Sequence, residues 1–67
     1  MNKKDVDRYR TSKMVRVYYH PPRDKTITNK VTGRILRTYK SLLVFDVGDT
    51  GKELMIHYVD MKEIEFV

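Results

Sequence analysis

From Lys13 onward the chain alternates between apolar and polar positions. In Lys13-Met14-Val15-Arg16-Val17-Tyr18-Tyr19-His20, Val15, Val17 and Tyr19 share one parity and Arg16, Tyr18 and His20 the other. That is the period of a strand with one face buried. Pro21-Pro22 stops it, because neither ring offers an N–H to a ladder, and Arg23-Asp24-Lys25 reads as an exposed loop. A longer strand is expected from Thr26 to Thr38, with Ile27, Val31 and Ile35 on one side and Thr and Lys at 26, 28, 30 and 32 on the other. Gly33 sits in its middle, where a bend or bulge lets a strand curve.

Tyr39-Lys40-Ser41 predicts a turn into Leu42–Val47, where Leu43, Phe45 and Val47 alternate with Leu42, Val44 and Asp46. Gly48-Asp49-Thr50-Gly51 is the clearest turn signal in the chain. Beyond it Leu54, Ile56 and Tyr58 share a parity over 53–58, Val59-Asp60-Met61 reads as one helical turn, and Ile64 and Phe66 point inward from a closing strand over 63–67. A helix over 53–65 is the alternative, but its apolar residues fit strand, turn and strand better than an i, i+3, i+4 stripe. Residues 1–12 are polar apart from Val6, Tyr9 and the first Met, and predict a short basic arm, flexible or at most one helical turn. The expectation is therefore an all-β domain over 13–67 with five short strands, closed into a small barrel that removes exposed edges.

Composition narrows this further. The 67 residues contain no Cys, so the apolar residues hold the fold without disulfides. The longest aliphatic or aromatic run, Leu42-Leu43-Val44-Phe45, is far short of the roughly 20 residues of a membrane helix. No apolar leader follows Met1, and these features fit a cytoplasmic domain. The formal net charge is +5, unevenly spread: residues 1–40 hold twelve Lys and Arg against three Asp, residues 41–67 two against six acids. Such asymmetry points to anionic partners unless folding interleaves the halves.

No catalytic constellation emerges. Ser12 and Ser41 lack a nucleophile motif, and no thiolate exists. His20 and His57 are isolated from other ligand types, His20 reading as an exposed strand-end imidazole and His57 as an outward-facing sheet residue. Asp46, Asp49, Asp60 and Glu63 could gather at one barrel end, but turn and cap acids are the simpler reading. No metal, cofactor or enzymatic activity is expected.

Val15-Arg16-Val17-Tyr18-Tyr19, the Gly33-x-Ile35 step and Ile56-x-Tyr58-x-Asp60-x-x-x-Ile64 resemble the SH3-like and Sm-like small barrels over about residues 14–67. The same stretch is similar to the C-terminal region of the YolD-like proteins of Gram-positive bacteria and their phages. The first resemblance implies a five-stranded barrel, and the second implies the setting of a bacterial or phage accessory protein.

The partner expected first is nucleic acid. Arg16 and Tyr18 share a face on the first strand, Lys30 and Arg34 share one on the second, and Arg37, Tyr39 and Lys40 lie toward its tip. Arg and Lys would neutralise phosphates while Tyr18 or Tyr39 stacks on bases, with Lys3, Lys4, Arg8 and Arg10 as an electrostatic arm. The alternative is a protein–protein adaptor or inhibitor, which binds an acidic partner or associates with itself through an exposed strand. Leu42, Val44 and Met55 lie off the core parity and would form its apolar patch. A monomer or small homo-oligomer fits either reading.

Overall fold

The computed structural model describes residues 1–48 and 50–67. A short helix, α1 (Lys3–Asp7), precedes strands β1 (Val15–Tyr19), β2 (Asn29–Thr38), β3 (Leu42–Val47) and β4 (Lys52–His57); a 3₁₀ turn over Tyr58–Asp60 then leads into β5 (Met61–Phe66). All five strands form one antiparallel sheet in the order β4-β3-β2-β1-β5. The sheet is open. β4 and β5 stand at its two ends, so the expected closure into a barrel is not formed by backbone pairing.

The period-two pattern decides which face is buried. Val15, Val17, Val31, Ile35, Leu43, Phe45, Ile56 and Ile64 pack together on the inner face, joined by Tyr58 and Met61 from the 3₁₀ turn and the start of β5. Val6 of α1 is also fully buried in this cluster. The N-terminal arm thus forms a short helical turn, one of the two expected forms, and Val6 anchors it on the core. Asn2 caps α1 through its side chain, which accepts from the Asp5 N–H at 3.0 Å, while the Asp5 carboxylate accepts from the Asn2 N–H at 3.2 Å. This reciprocal box satisfies donors a one-turn helix otherwise leaves open. Asp7 then accepts the Thr38 hydroxyl at 3.0 Å and Tyr9 stacks on Phe66 with ring centres 4.5 Å apart, so the arm is fastened to both β2 and β5.

Gly33 permits a close approach of β3 to β2. A Cβ there would run into the backbone carbonyl of Asp46 and come within 2.9 Å of the Gly48 nitrogen. Only a residue without a side chain lets β3 lie this close. The register shift in β2 falls later, between Ile35 and Arg37. At the far end of β3, Gly48 and Gly51 take φ of +52° and +72°, the left-handed region that suits glycine in a turn; Asp49 lies outside the described residues.

Four further expectations need correcting. Phe66, expected inward beside Ile64, is 58% exposed, its ring lying against Tyr9 and not in the core. β2 begins at Asn29, not Thr26, and Ile27 is 47% exposed. The Asp24 carboxylate accepts the Thr26 N–H at 2.9 Å and its hydroxyl at 2.5 Å; this local turn holds the segment away from the ladder. His20 is buried, not exposed. Its N–H donates to the Asp60 carbonyl at 2.9 Å and its Nδ1 lies 2.9 Å from the Pro21 carbonyl oxygen, so the 3₁₀ turn sits over the strand end that Pro21 closes. Val44 is 5% exposed although it lies outside the main core. After the shift in β2 it falls between Arg37 and Met55 on the outer face, flanked from both neighbouring strands.

Candidate functional site

The candidate cationic residues fall on the outer face, but the fold brings acids to meet them. Arg16 and Tyr18 stand on β1 between β2 and β5, opposite Thr32 and Lys30 on one side and Glu65 and Glu63 on the other. Glu65 Oε1 accepts Arg16 Nη1 at 3.1 Å and the Tyr18 hydroxyl at 2.8 Å, while Arg16 Nε donates to Thr32 Oγ1 at 3.3 Å. The Tyr18 phenol, ahead of Glu65, holds the Arg16 guanidinium above its ordinary pKa. Arg34 Nε lies 3.6 Å from Asp46 Oδ2, and Arg37 Nη2 donates to Glu53 Oε1 at 2.7 Å. Glu53, then Tyr39, likewise raises the Arg37 pKa.

Each of these arginines therefore already has a carboxylate from residues 41–67. The basic and acidic halves seen in the sequence interleave across one face. Local alternation does not pair Asp46 or Glu53 with an arginine, but it carries a signal for Glu65. Glu65 has the parity that faces outward on a closing strand, and a first–last strand pairing places it beside Arg16.

The remaining candidates gather at the β2–β3 turn. Tyr39 is 50% exposed and Lys40 is exposed, with Arg37 on the adjoining strand. The turn is firm. The Tyr39 N–H donates to the Leu42 carbonyl at 2.8 Å and its carbonyl accepts the Tyr58 hydroxyl at 2.5 Å. Burial, helped by the charge of Asp7, pushes the Tyr58 phenol up, which keeps it a donor. Through Asp7 and Thr38, α1 is held against the end of β2. Lys3 donates to Asp7 at 3.0 Å and Arg10 lies near enough to lower its pKa, so both bring positive charge beside the turn. Lys30, at the opposite end of β2, is exposed and apart from this group.

Of the proposed apolar patch, Met55 is 68% exposed, Leu42 is half-buried and Val44 is covered. A shallow cleft of about 190 Å³, lined by Lys13, Met14, Gly33, Arg34, Asp46 and Gly48, opens beside the Arg34–Asp46 pair; it is smaller than the pockets that enclose drug-sized ligands. The acids considered for a metal do not converge. Asp46 faces Arg34, Asp60 lies by His20, Glu63 is opposite Tyr18, and Asp49 lies outside the described residues. Among the described residues no three His, Asp or Glu side chains come together, and no helix is long and apolar enough to cross a membrane.

Compared with protein-family models, with curated proteins and with solved structures, the chain matches none.

Proposed function

We infer that the protein is a non-enzymatic binding module of the small-barrel kind that contacts single-stranded nucleic acid through the β2–β3 turn. The observation that carries this reading is the exposed Tyr39 ring on a fastened turn, with Arg37 and Lys40 beside it and Lys3 and Arg10 brought alongside by α1. A firm turn presents an aromatic ring at little ordering cost, and a base stacked on it contributes roughly 1–3 kcal/mol. The surrounding cations supply phosphate contacts that weaken with salt. Arg16, Arg34 and Arg37 are each held by a carboxylate, so Lys40, the chain neighbour of Tyr39, has the larger part among the cations at the turn. The small-barrel kinship draws support from the close β2–β3 approach at Gly33 and from the pairing of the first strand with the last.

Fluorescence anisotropy with labelled single-stranded DNA, single-stranded RNA and duplex DNA, each at two salt concentrations, tests the reading. Binding to a single strand should fall with salt, weaken roughly 5- to 100-fold in Tyr39→Ala, and weaken again in Lys40→Glu. Equal binding by wild type and both variants, or none at low salt, overturns it.

A further inference from the structure

The free edge of β4 has a self-complementary pattern. The Tyr58 N–H donates to the Ser41 carbonyl at 3.0 Å, and the β3–β4 register pairs Leu42 with His57 and Leu43 with Ile56. Hydrogen-bonded pairs alternate along an antiparallel ladder. Ile56, Leu54 and Lys52 therefore turn their N–H and C=O groups toward β3, while Glu53, Met55 and His57 turn theirs outward to the unpaired edge.

We propose that this edge pairs with the same edge of a second copy, antiparallel about a two-fold axis through Met55. In that register Met55 lies opposite the partner's Met55 and Glu53 lies opposite the partner's His57, so every outward backbone group of these three residues finds a partner. The faces match as well. Met55, Glu53 and His57 share the outer face, and Leu54 and Ile56 share the inner one, where Leu54, half-buried in one copy, meets the partner's Ile56. Shifting the pairing by one residue would set inner against outer side chains.

Charge agrees with this register. Glu53 already stands opposite Asp46 within its own sheet, a like-charge pair that Arg37 and Arg34 relieve from β2, and a partner imidazole adds no negative charge to it. Met55, 68% exposed in one copy, is covered at the axis. The other edge is unsuited to pairing with itself. Antiparallel pairing of β5 about Ile64 would set Glu63 against Glu65 of the second copy, a contact that like charges oppose. The contact is one strand wide, which belongs to the weak class of interfaces.

Sedimentation equilibrium over a concentration series reaching roughly 1 mM, the weak end of specific association, should show the wild-type mass rising toward twice that of the monomer. Met55→Asp, at an exposed site and checked for an unchanged fold by circular dichroism, should hold the monomer mass throughout. Because the chain has no native Cys, Met55→Cys places a single thiol on the axis. Hydrogen-bonded antiparallel partners have Cα atoms about 5.5 Å apart, within disulfide reach, so mild oxidation should convert Met55→Cys to a covalent dimer at least about tenfold faster than Glu63→Cys. Three results overturn the proposal: a monomer at every concentration, assembly by Met55→Asp equal to wild type, or cross-linking of Met55→Cys no faster than that of Glu63→Cys. The last would show that Met55 does not lie on a two-fold axis between copies. None of these measurements involves nucleic acid, so the two proposals stand or fall separately.

Discussion

The two faces of the sheet are built from the same strands, yet they are organised on different grounds. The inner face is apolar from Val15 on β1 to Ile64 on β5, and one continuous cluster fills it. The outer face is a row of charges, with Arg16, Arg34 and Arg37 each set against an acid from the far half of the sequence. An inner position needs only to be apolar and of suitable size, so many neighbours serve it equally well. An outer position acquires its chemistry from whichever strand lies beside it. A side chain's face is thus a local property, whereas its charge environment is a property of the topology.

Adjacent residues on β3 give the sharpest test of this contrast, and the largest expected effect. Phe45 is fully buried on the inner face, and Phe45→Ala should lower stability by about 3–5 kcal/mol, enough to unfold much of so small a domain. Val44→Ala, one residue away on the outer face, should cost less than half as much, since two methyl groups are lost where the core does not reach. Urea unfolding of both variants decides it, and equal losses would erase the distinction between the faces.

Next in size is Gly33→Ala. The added methyl group meets the Asp46 backbone, which cannot turn aside as a flexible side chain would, and overpacking of this kind costs about 1–3 kcal/mol. Thermal unfolding should show a clear loss. An unchanged midpoint would mean that β3 is not held so close to β2.

The smallest effect concerns the helix that covers one end of the inner face. The hydrogen bond from Lys3, then that from Thr38, lowers the Asp7 pKa below its ordinary value of 3.8. A carboxyl with a depressed folded pKa contributes its stability fully above the unfolded pKa and loses it as pH falls through the folded one. Asp7 should therefore help hold α1 at neutral pH and release that help below about pH 4. Asp7→Asn should remove this part of the acid dependence, read from Tyr9 and Phe66 ring resonances by NMR. Identical acid titrations for the two proteins would show that Asp7 does not fasten the helix.

The sequence makes the inner face readable because alternation survives any change of neighbour. Val15, Val17, Leu43, Phe45 and Ile56 could be assigned from parity alone, and the Val59-Asp60-Met61 turn was displaced by a single residue. Ile27 failed because the Asp24–Thr26 turn outweighs the parity of a single apolar residue. Val44 failed because the shift between Ile35 and Arg37 rearranges what flanks it, and nothing local in β2 announces that shift. The candidate site was legible only at the β2–β3 turn, where Tyr39 and Lys40 are chain neighbours. Elsewhere the pattern displayed a basic surface while its neutralising acids, Glu65 above all, lie far along the chain, 49 positions from Arg16 in that case.

The pairing of β1 with β5 also sets an order in time. β1 is an interior strand only because the last strand lies along it, joining Val15 to Phe66. As the chain is made, β2, β3 and β4 can each pair with the strand before them, but β1 keeps one ladder edge unmatched until β5 arrives. Contacts of such long sequence separation slow folding, since the loop entropy is lost before they form. A nascent chain that has reached only β4 therefore carries two open edges, and one of them, next to Val17 and Tyr19, is a strand meant for the interior.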